Sequence, residues 1–178
     1  MSVNHQITIA GFGGQGIQFT GKFLIYAGMQ AGYEVTCIPS YGPEMRGGTS
    51  ACFVVISDDK IGSPIFSNPS LLIAMNAPSF DKYEMSTEAG GYNFVDSTLV
   101  ERKANRSDVT TVYVPATGVA SENGIHNLAN MVMVGKILKE TSIFTYELME
   151  KVMPKLVSAK RPQMVETNLK AIRLGMDL

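Results

Sequence analysis

Hydrophobic and polar positions along this chain switch between two spacings, and each switch marks the boundary of a predicted element. Residues 7–10 form a short apolar run typical of a buried strand. From Gly16 to Ala31 the apolar positions recur at helical spacing, until Gly32 stops the helix. Residues 33–38 alternate as a strand that Pro39 ends. This order of strand, helix and strand favours a parallel sheet and an α/β fold.

The rest of the pattern continues the alternation of short strands and helices. Further strands are predicted at residues 50–57, 71–75, 92–96 and 109–114. Helices are predicted at residues 79–87, at about 119–140, from a cap at Thr145 to about Val152 before Pro154, and from Pro162 to a stop at Gly175. We therefore expect one domain over residues 1–178, a three-layer α/β/α sandwich with a mostly parallel sheet and a Rossmann-like β-α-β start.

Composition narrows the function classes. The net charge of −1 gives no basic excess for binding nucleic acid or an anionic membrane. No apolar run approaches the length of a membrane span, and the N-terminus lacks the features of a secretion signal, so a cytoplasmic location is expected. Only 17% of the residues are charged and 11 are Met, which indicates surface that another chain covers.

The cysteine and histidine content argues against a metal site in this chain. Cys37 and Cys52 do not form a C-x-x-C pair, and each lies in a predicted strand, so we expect buried free thiols rather than a disulfide. A cubane iron–sulfur cluster normally needs four thiolates, which two cysteines cannot supply. His5 and His126 are far apart in the sequence, so a zinc site has little support.

A glycine-rich stretch, AGFGGQGI, joins the first predicted strand to the first helix. Gly11, Gly13 and Gly16 fit the G-x-G-x-x-G spacing, in which the glycines allow a tight turn, close approach of a phosphate and close packing of helix on strand. The backbone amides from Gly13 through Gly14 to Gln15 would then face an anion at the helix N-terminus.

The nicotinamide-binding interpretation of this loop meets a contradiction. It requires an acidic residue at the end of the second strand for the ribose hydroxyls. That strand ends Cys37-Ile38-Pro39-Ser40, and the nearest later acid is Glu44, beyond a proline and a glycine. Two alternatives stay open, a turn that only packs the helix on the sheet and a loop that faces an anion or a partner.

A second loop, SYGPEMRGGT at residues 40–49, leaves the same carboxyl edge of the predicted sheet, where open α/β sheets bind ligands. The guanidinium of Arg46 would form a bidentate pair with a carboxylate or phosphate. Glu44 would pair with Arg46 or with a cation of a partner. A surface turn with two solvated charges is the alternative. Asn76 ends another buried strand at this edge. The candidate residues of these segments are Tyr41, Gly42, Pro43, Glu44, Arg46, Gly47, Gly48 and Asn76.

The two loops together resemble those of the gamma subunit of 2-oxoacid:ferredoxin oxidoreductases. The similarity is in GFGGQGI followed by PSYGPEMRGGTS, with LLIAMN and the segment NMVMVG, and it extends from about Ile7 to Arg173. The wording SYGPEMRGG is most similar to gamma subunits of the 2-oxoglutarate type, with pyruvate or branched-chain types as the alternative.

This resemblance implies a multi-subunit enzyme that converts a 2-oxoacid and coenzyme A to acyl-CoA and carbon dioxide and passes electrons to ferredoxin. In the family, thiamine diphosphate and Mg lie between the alpha and beta subunits, and iron–sulfur clusters lie in beta or in a ferredoxin-like delta subunit. The chain would then bind no cofactor itself and contain no catalytic residue.

The role of such a chain admits several hypotheses. In the leading one, both loops face the alpha/beta active site and the coenzyme A path, where Arg46 pairs with an anion and Tyr41 and Glu44 fix the loop. In the second, the loops only hold alpha and beta together. A free-standing nucleotide-binding protein is a third, and a homodimer of the isolated chain is also open.

Overall fold

The computed structural model describes residues 3–42 and 48–178. Within these residues, the chain forms six strands and six α-helices, with the last four helices consecutive at the C-terminal end. The strands are β1 (Asn4–Phe12), β2 (Glu34–Tyr41), β3 (Thr49–Ser57), β4 (Leu71–Ala74), β5 (Tyr92–Asp96) and β6 (Thr110–Val114). The helices are α1 (Ile17–Gln30), α2 (Ala77–Tyr83), α3 (Ala116–Glu122), α4 (Ala129–Thr141), α5 (Tyr146–Leu156) and α6 (Gln163–Met176).

The strands form one mixed sheet in the order β2-β3-β1-β4-β5-β6. β1, β4, β5 and β6 pair in parallel, whereas β3 is antiparallel to both of its neighbours, β1 and β2. The sheet is therefore mostly parallel, as expected. The expected β-α-β start differs in one respect, because β3 lies between β1 and β2 and the two strands joined by α1 are not adjacent.

Pro39 does not end the second strand, as the sequence suggested. β2 continues to Tyr41, with Pro39 opposite Cys52 and Tyr41 opposite Ser50. The reason is position, since β2 is the border strand of the sheet, where a missing N–H donor is tolerated.

Helices cover both faces of the sheet, which gives the expected three layers. One face packs its apolar residues, among them Ile7, Ile9 and Ile73, against helices α1 and α3–α6 in the larger core. The other face buries Leu72 and Ala74 against Phe80 of α2 in a smaller core. The alternation of Leu72 and Ile73 between these cores is the period of two that a strand imposes.

An ion pair closes the smaller core. The carboxylate of Glu84 is buried and lies 2.8 Å from the Arg102 guanidinium. Arg102 also pairs with Asp81 at 2.6 Å and lies over the ring of Phe80. These contacts fix the segment after β5 against α2.

The C-terminal helices differ from the expectation at three positions. The single helix expected at 119–140 is two helices, because the chain turns at Gly124, whose φ is +70°. Pro154 lies inside α5 instead of limiting it, while Thr145 does cap that helix by accepting a hydrogen bond from the Leu148 N–H at 3.4 Å. Gly175 lies inside α6 and not at its end.

Gly175 has a packing role that explains its place inside the helix. A Cβ added to it would overlap the backbone carbonyl of Val132 on α4, and a Cβ on Gly135 of α4 would overlap that of Ile172 on α6. The two helices therefore approach backbone to backbone. Across the described residues, every helix is too short or too polar to cross a membrane.

Candidate functional site at the carboxyl edge of the sheet

The glycine loop and the two described ends of the second loop, at Gly42 and Gly48, lie side by side at the carboxyl edge of the sheet. The last residue of β1, Phe12, is opposite Thr49, the first residue of β3. The Gly13 N–H donates to the Gly48 carbonyl at 2.9 Å, and the Gly42 N–H donates to the Thr49 carbonyl at 2.8 Å. Backbone hydrogen bonds thus connect the glycine loop to the start of β3. Pro43, Glu44, Arg46 and Gly47 lie outside the described residues.

The glycine loop needs glycine at several positions, for different reasons. Gly14 and Gly16 have φ of +102° and +75°, in the left-handed region that glycine favours. Gly11 has no such φ, but a Cβ there would lie 2.6 Å from Gln15 Oε1. Gly11 therefore makes room for the Gln15 side chain.

The Gln15 side chain ties the end of β1 to the end of β4. Its Oε1 accepts hydrogen bonds from the Phe12 N–H at 2.7 Å and from Asn76 Nδ2 at 3.1 Å. Its Nε2 donates to the Met75 carbonyl at 2.9 Å. Asn76 in turn caps α2, since its Oδ1 accepts from the Ser79 N–H at 2.9 Å. Both side chains are thus engaged within the protein.

This network corrects the expectation that the three amides from Gly13 to Gln15 face an anion. The Gly13 N–H is bonded to Gly48, and the Gln15 N–H donates to the Phe12 carbonyl at 3.1 Å. From Gly13 to Phe19, the backbone N–H groups without a hydrogen-bond partner among the described residues are those of Gly14, Gly16 and the first three residues of α1. A helix N-terminus of this kind attracts negative charge.

Two cavities flank the glycine loop. The first, of about 220 Å³, is lined by Gly14 and Gln15 together with Leu99, Thr117 and His126. The second, of about 320 Å³, borders Gly16 and has a mixed lining, in which apolar residues such as Phe19, Leu156 and Met164 alternate with the polar Asn130, Arg161 and Asn168.

Asn130 of α4 connects the wall of the second cavity to the glycine loop. Its Nδ2 donates to Thr20 Oγ1 at 3.1 Å and to the Gly16 carbonyl at 3.3 Å. A Cβ on Gly16 would overlap this amide group, which is a second reason for glycine there. The buried Oδ1 of Asn130 and that of Asn168 have no hydrogen-bond partner among the described residues.

Thr117 and His126 are not among the candidate residues that the sequence indicated. Both line the first cavity, because β6 ends at the same edge of the sheet. Thr117 is fixed there by Asp96, whose carboxylate accepts from the Thr117 hydroxyl at 2.5 Å and from its N–H at 3.2 Å. The sequence signal for both residues was the end of the predicted strand before Pro115.

A third cavity, of about 220 Å³, lies where β2 ends and α2 begins. It is lined by Ser40, Tyr41, Gly42 and Thr49 on one side and by Ser79 and Lys82 on the other. Lys82 gives this part of the edge a positive charge. Tyr41 is 62% exposed, so its ring is available to a neighbouring molecule.

Comparison with known proteins identifies the family. Residues 6–178 match the model of the family described as pyruvate ferredoxin/flavodoxin oxidoreductase. The chain belongs to this family. The resemblance seen in the two loops is thereby confirmed, and the free-standing nucleotide-binding protein is not favoured.

Relatives of this oxidoreductase family differ in length. The 2-oxoglutarate synthase subunit KorC of Methanocaldococcus jannaschii is 38% identical over 154 residues, which cover 85% of this chain and 82% of KorC. The ketoisovalerate oxidoreductase subunit VorA of Methanothermobacter thermautotrophicus is 35% identical over 174 residues. That match covers 97% of this chain but 36% of VorA, so the chain spans about a third of the length of that relative.

A solved structure shares the fold of this family member over nearly its full length. The gamma subunit of a keto/oxoacid ferredoxin oxidoreductase from Geobacter sulfurreducens superposes with a TM-score of 0.81 at 30% identity. The match covers 97% of this chain and 96% of the gamma subunit. The expected fold class and the gamma-type relationship are therefore both confirmed.

Proposed function

We propose that this chain is the gamma-type subunit of a cytoplasmic 2-oxoacid:ferredoxin oxidoreductase, which forms acyl-CoA and carbon dioxide from a 2-oxoacid and coenzyme A and passes electrons to ferredoxin. The observation that carries the proposal is the family match over residues 6–178. The proposed substrate is 2-oxoglutarate, because KorC is named for it and matches this chain over most of both lengths. A branched-chain 2-oxoacid, as the name VorA suggests, and pyruvate are the alternatives.

The proposal assigns the cofactors to partner subunits. Thiamine diphosphate would stabilise the carbanion, and iron–sulfur clusters would accept the electrons. This chain's two cysteines are too few for a cubane cluster. Residues 3–42 and 48–178 contain no group of three or more His, Cys, Asp or Glu side chains placed to hold a metal. The described residues therefore do not fit an iron–sulfur cluster, and alpha, beta and a delta subunit are the proposed carriers of the cofactors.

In the leading hypothesis, the carboxyl edge of the sheet faces the alpha/beta active site and binds an anionic part of coenzyme A or of the 2-oxoacid. Support comes from the N–H groups of Gly14 and of the first turn of α1, which have no partner in residues 3–42 and 48–178. Lys82 adds a positive charge beside Tyr41. Arg46 would pair with the phosphate or carboxylate, since a guanidinium binds either in a bidentate manner.

A scaffold role is the second candidate, and a specific observation favours it. Most polar groups of the glycine loop are used within the protein, including the Gln15 side chain, the Asn76 side chain and the Gly13 N–H. A loop whose polar groups are already hydrogen-bonded would contact a partner subunit mainly through the fit of its surface. In this hypothesis Arg46 contributes to assembly and not to coenzyme A binding.

Reconstitution with the alpha and beta chains tests the proposed reaction. We expect the complex to reduce ferredoxin with the highest kcat/KM for 2-oxoglutarate, compared with ketoisovalerate and pyruvate at saturating coenzyme A. Absence of coenzyme A-dependent oxidation of all three acids by the assembled complex would contradict the proposed function.

Arg46→Ala in the same assay separates the two roles. If Arg46 binds an anion, KM for coenzyme A or for the 2-oxoacid rises about ten-fold while assembly on a sizing column is unchanged, because one charge-assisted contact is lost. Arg173→Ala is the matched control, since Arg173 is an exposed arginine paired with Glu150 on the helical side of the molecule. Weakened assembly with unchanged KM values would favour the scaffold role, and no change in either would contradict both.

A further inference from the structure

The two cysteines meet across the strands β2 and β3. Cys37 is opposite Val54 and Cys52 is opposite Pro39, so the cysteines are diagonal neighbours on the same face of the sheet. Their Sγ atoms lie 2.8 Å apart. Both thiols are free, as expected from the sequence, but their adjacency was not foreseen.

The sulfur pair lies beneath α1. Gly21 of that helix faces it, and a Cβ on Gly21 would overlap Cys52 Sγ. Cys52 is completely buried, whereas Cys37 is half-buried near the border of the sheet. A small oxidant therefore has access to Cys37 first.

The surroundings also shift the pKa values of the two thiols in opposite directions. The hydrogen bond from Cys52 lowers the pKa of the Cys37 thiol, against the effect of burial, and the positive charge of Lys22 lowers it further. The hydrogen bond with Cys37 and burial both raise the pKa of the Cys52 thiol. Because the thiolate is the reactive form, Cys37 is the nucleophile of the pair.

We propose that Cys37 and Cys52 form a redox-active dithiol that a peroxide converts reversibly to an intrachain disulfide. The Cys37 thiolate attacks the O–O bond of hydrogen peroxide and becomes a sulfenic acid, and the released hydroxide takes up a proton to give water. Cys52 then loses its proton and its sulfur displaces the sulfenic oxygen, which leaves as a second water. Two thiols are oxidised and one peroxide is reduced to two waters.

The geometry supports the second step. A disulfide has an S–S length of about 2.0 Å, so the sulfur atoms need to move about 0.8 Å closer from their separation of 2.8 Å. The bond would tie β2, which ends at Tyr41 of the candidate site, to β3, which begins directly after Gly48. It would also keep Cys37 from oxidation beyond the sulfenic acid, a change that is not readily reversed. This inference does not rest on the proposed function.

Peptide mapping of the full chain after exposure to hydrogen peroxide tests the proposal. Trypsin cleaves after Arg46, between the two cysteines, so the disulfide appears as a linked pair of peptides that dithiothreitol separates. In Cys52→Ser the sulfenic acid has no thiol to react with. We expect its capture by dimedone at Cys37, and the sulfinic acid that follows, to increase at least about ten-fold over wild type.

Cys37→Ser is the matched control, in which the buried Cys52 should remain a thiol at the same peroxide dose. Circular dichroism before and after exposure verifies that each protein is folded. The proposal is overturned if folded wild type accumulates sulfinic acid at Cys37 to the same extent as Cys52→Ser. It is equally overturned if no linked peptides form at a dose that oxidises Cys37 in Cys52→Ser.

Discussion

At the residue scale, the side chain of Gln15 stabilises the conformation of the glycine loop. It fills the space that Gly11 leaves and makes three hydrogen bonds to groups at the ends of β1 and β4. The loop is therefore held from inside the protein. Within the described chain, the N–H groups of Gly14, Gly16 and the first turn of α1 are the ones in this segment without a hydrogen-bond partner.

Gln15→Ala should lower the free energy of unfolding by about 1–3 kcal/mol, because it leaves the Phe12 N–H and the Met75 carbonyl without their partner. Urea unfolding followed by circular dichroism measures the change. Gln163→Ala on the exposed start of α6 is the matched control and should stay within about 0.5 kcal/mol of wild type. Equal stability of the two variants would contradict a bridging role for Gln15.

The glycine spacing alone predicted the turn and the start of α1 correctly. It did not predict the partners of the loop amides, because these depend on Gly48 and on the Gln15 side chain, which only the folded sheet brings near. Gly16 shows the same limit. Its left-handed φ follows from the turn, but its contact with Asn130 joins residues 114 positions apart.

At the scale of elements, the close approach of α4 and α6 depends on two glycines. Gly135 and Gly175 each face the backbone of the other helix. A glycine near the end of a helical pattern is a common stop signal, which is why the sequence suggested an end at Gly175. The helix pattern itself cannot distinguish a stop from a contact.

Gly175→Ala should lower the free energy of unfolding by about 3 kcal/mol or more, because its methyl group would overlap the Val132 carbonyl and force the helices apart. Thermal or urea unfolding measures the loss. Gly62→Ala is the control, since a Cβ there meets nothing within 4 Å, and it should change stability by less than about 1 kcal/mol. A Gly175→Ala protein as stable as the control would show that the helices do not need this contact.

Most strands were predicted from the sequence because each is a short apolar run between turn signals. The pairing of those strands was not predicted, because the sequence pattern of β1, α1 and β2 is that of a simple β-α-β unit. The insertion of β3 between β1 and β2 depends on long-range packing. The common edge at which β1 and β2 end was still inferred correctly, because β2 runs in the same direction as β1 whether or not the strands are adjacent.

At the scale of the whole molecule, three of the large apolar residues that are exposed lie at the carboxyl edge. Phe12 is 36% exposed, Leu99 42% and Tyr41 62%. The low charge of the sequence already indicated surface that another chain covers. The structure places these three residues beside the candidate site, which agrees with the proposed contact with partner subunits.

Tyr41→Asp should weaken binding of the partner subunits at least about ten-fold, or about 1.4 kcal/mol, because it puts a charge into an aromatic contact. Titration of labelled chain against the alpha and beta subunits measures the dissociation constant. Met29→Asp is the matched control, since Met29 is 50% exposed near the far end of α1. Equal weakening by the two substitutions would argue against an interface centred on the carboxyl edge.

The position of β3 in the sheet also determines when strand pairing can begin during synthesis. Among the described residues, β1 pairs with β3 and β4, and β2 pairs with β3. A chain leaving the ribosome from its N-terminus therefore completes no strand pairing of the final sheet until β3 has emerged, at Ser57. Until then, α1 is the hydrogen-bonded element that this part of the chain can form, and the apolar residues of β1 stay exposed to chaperones.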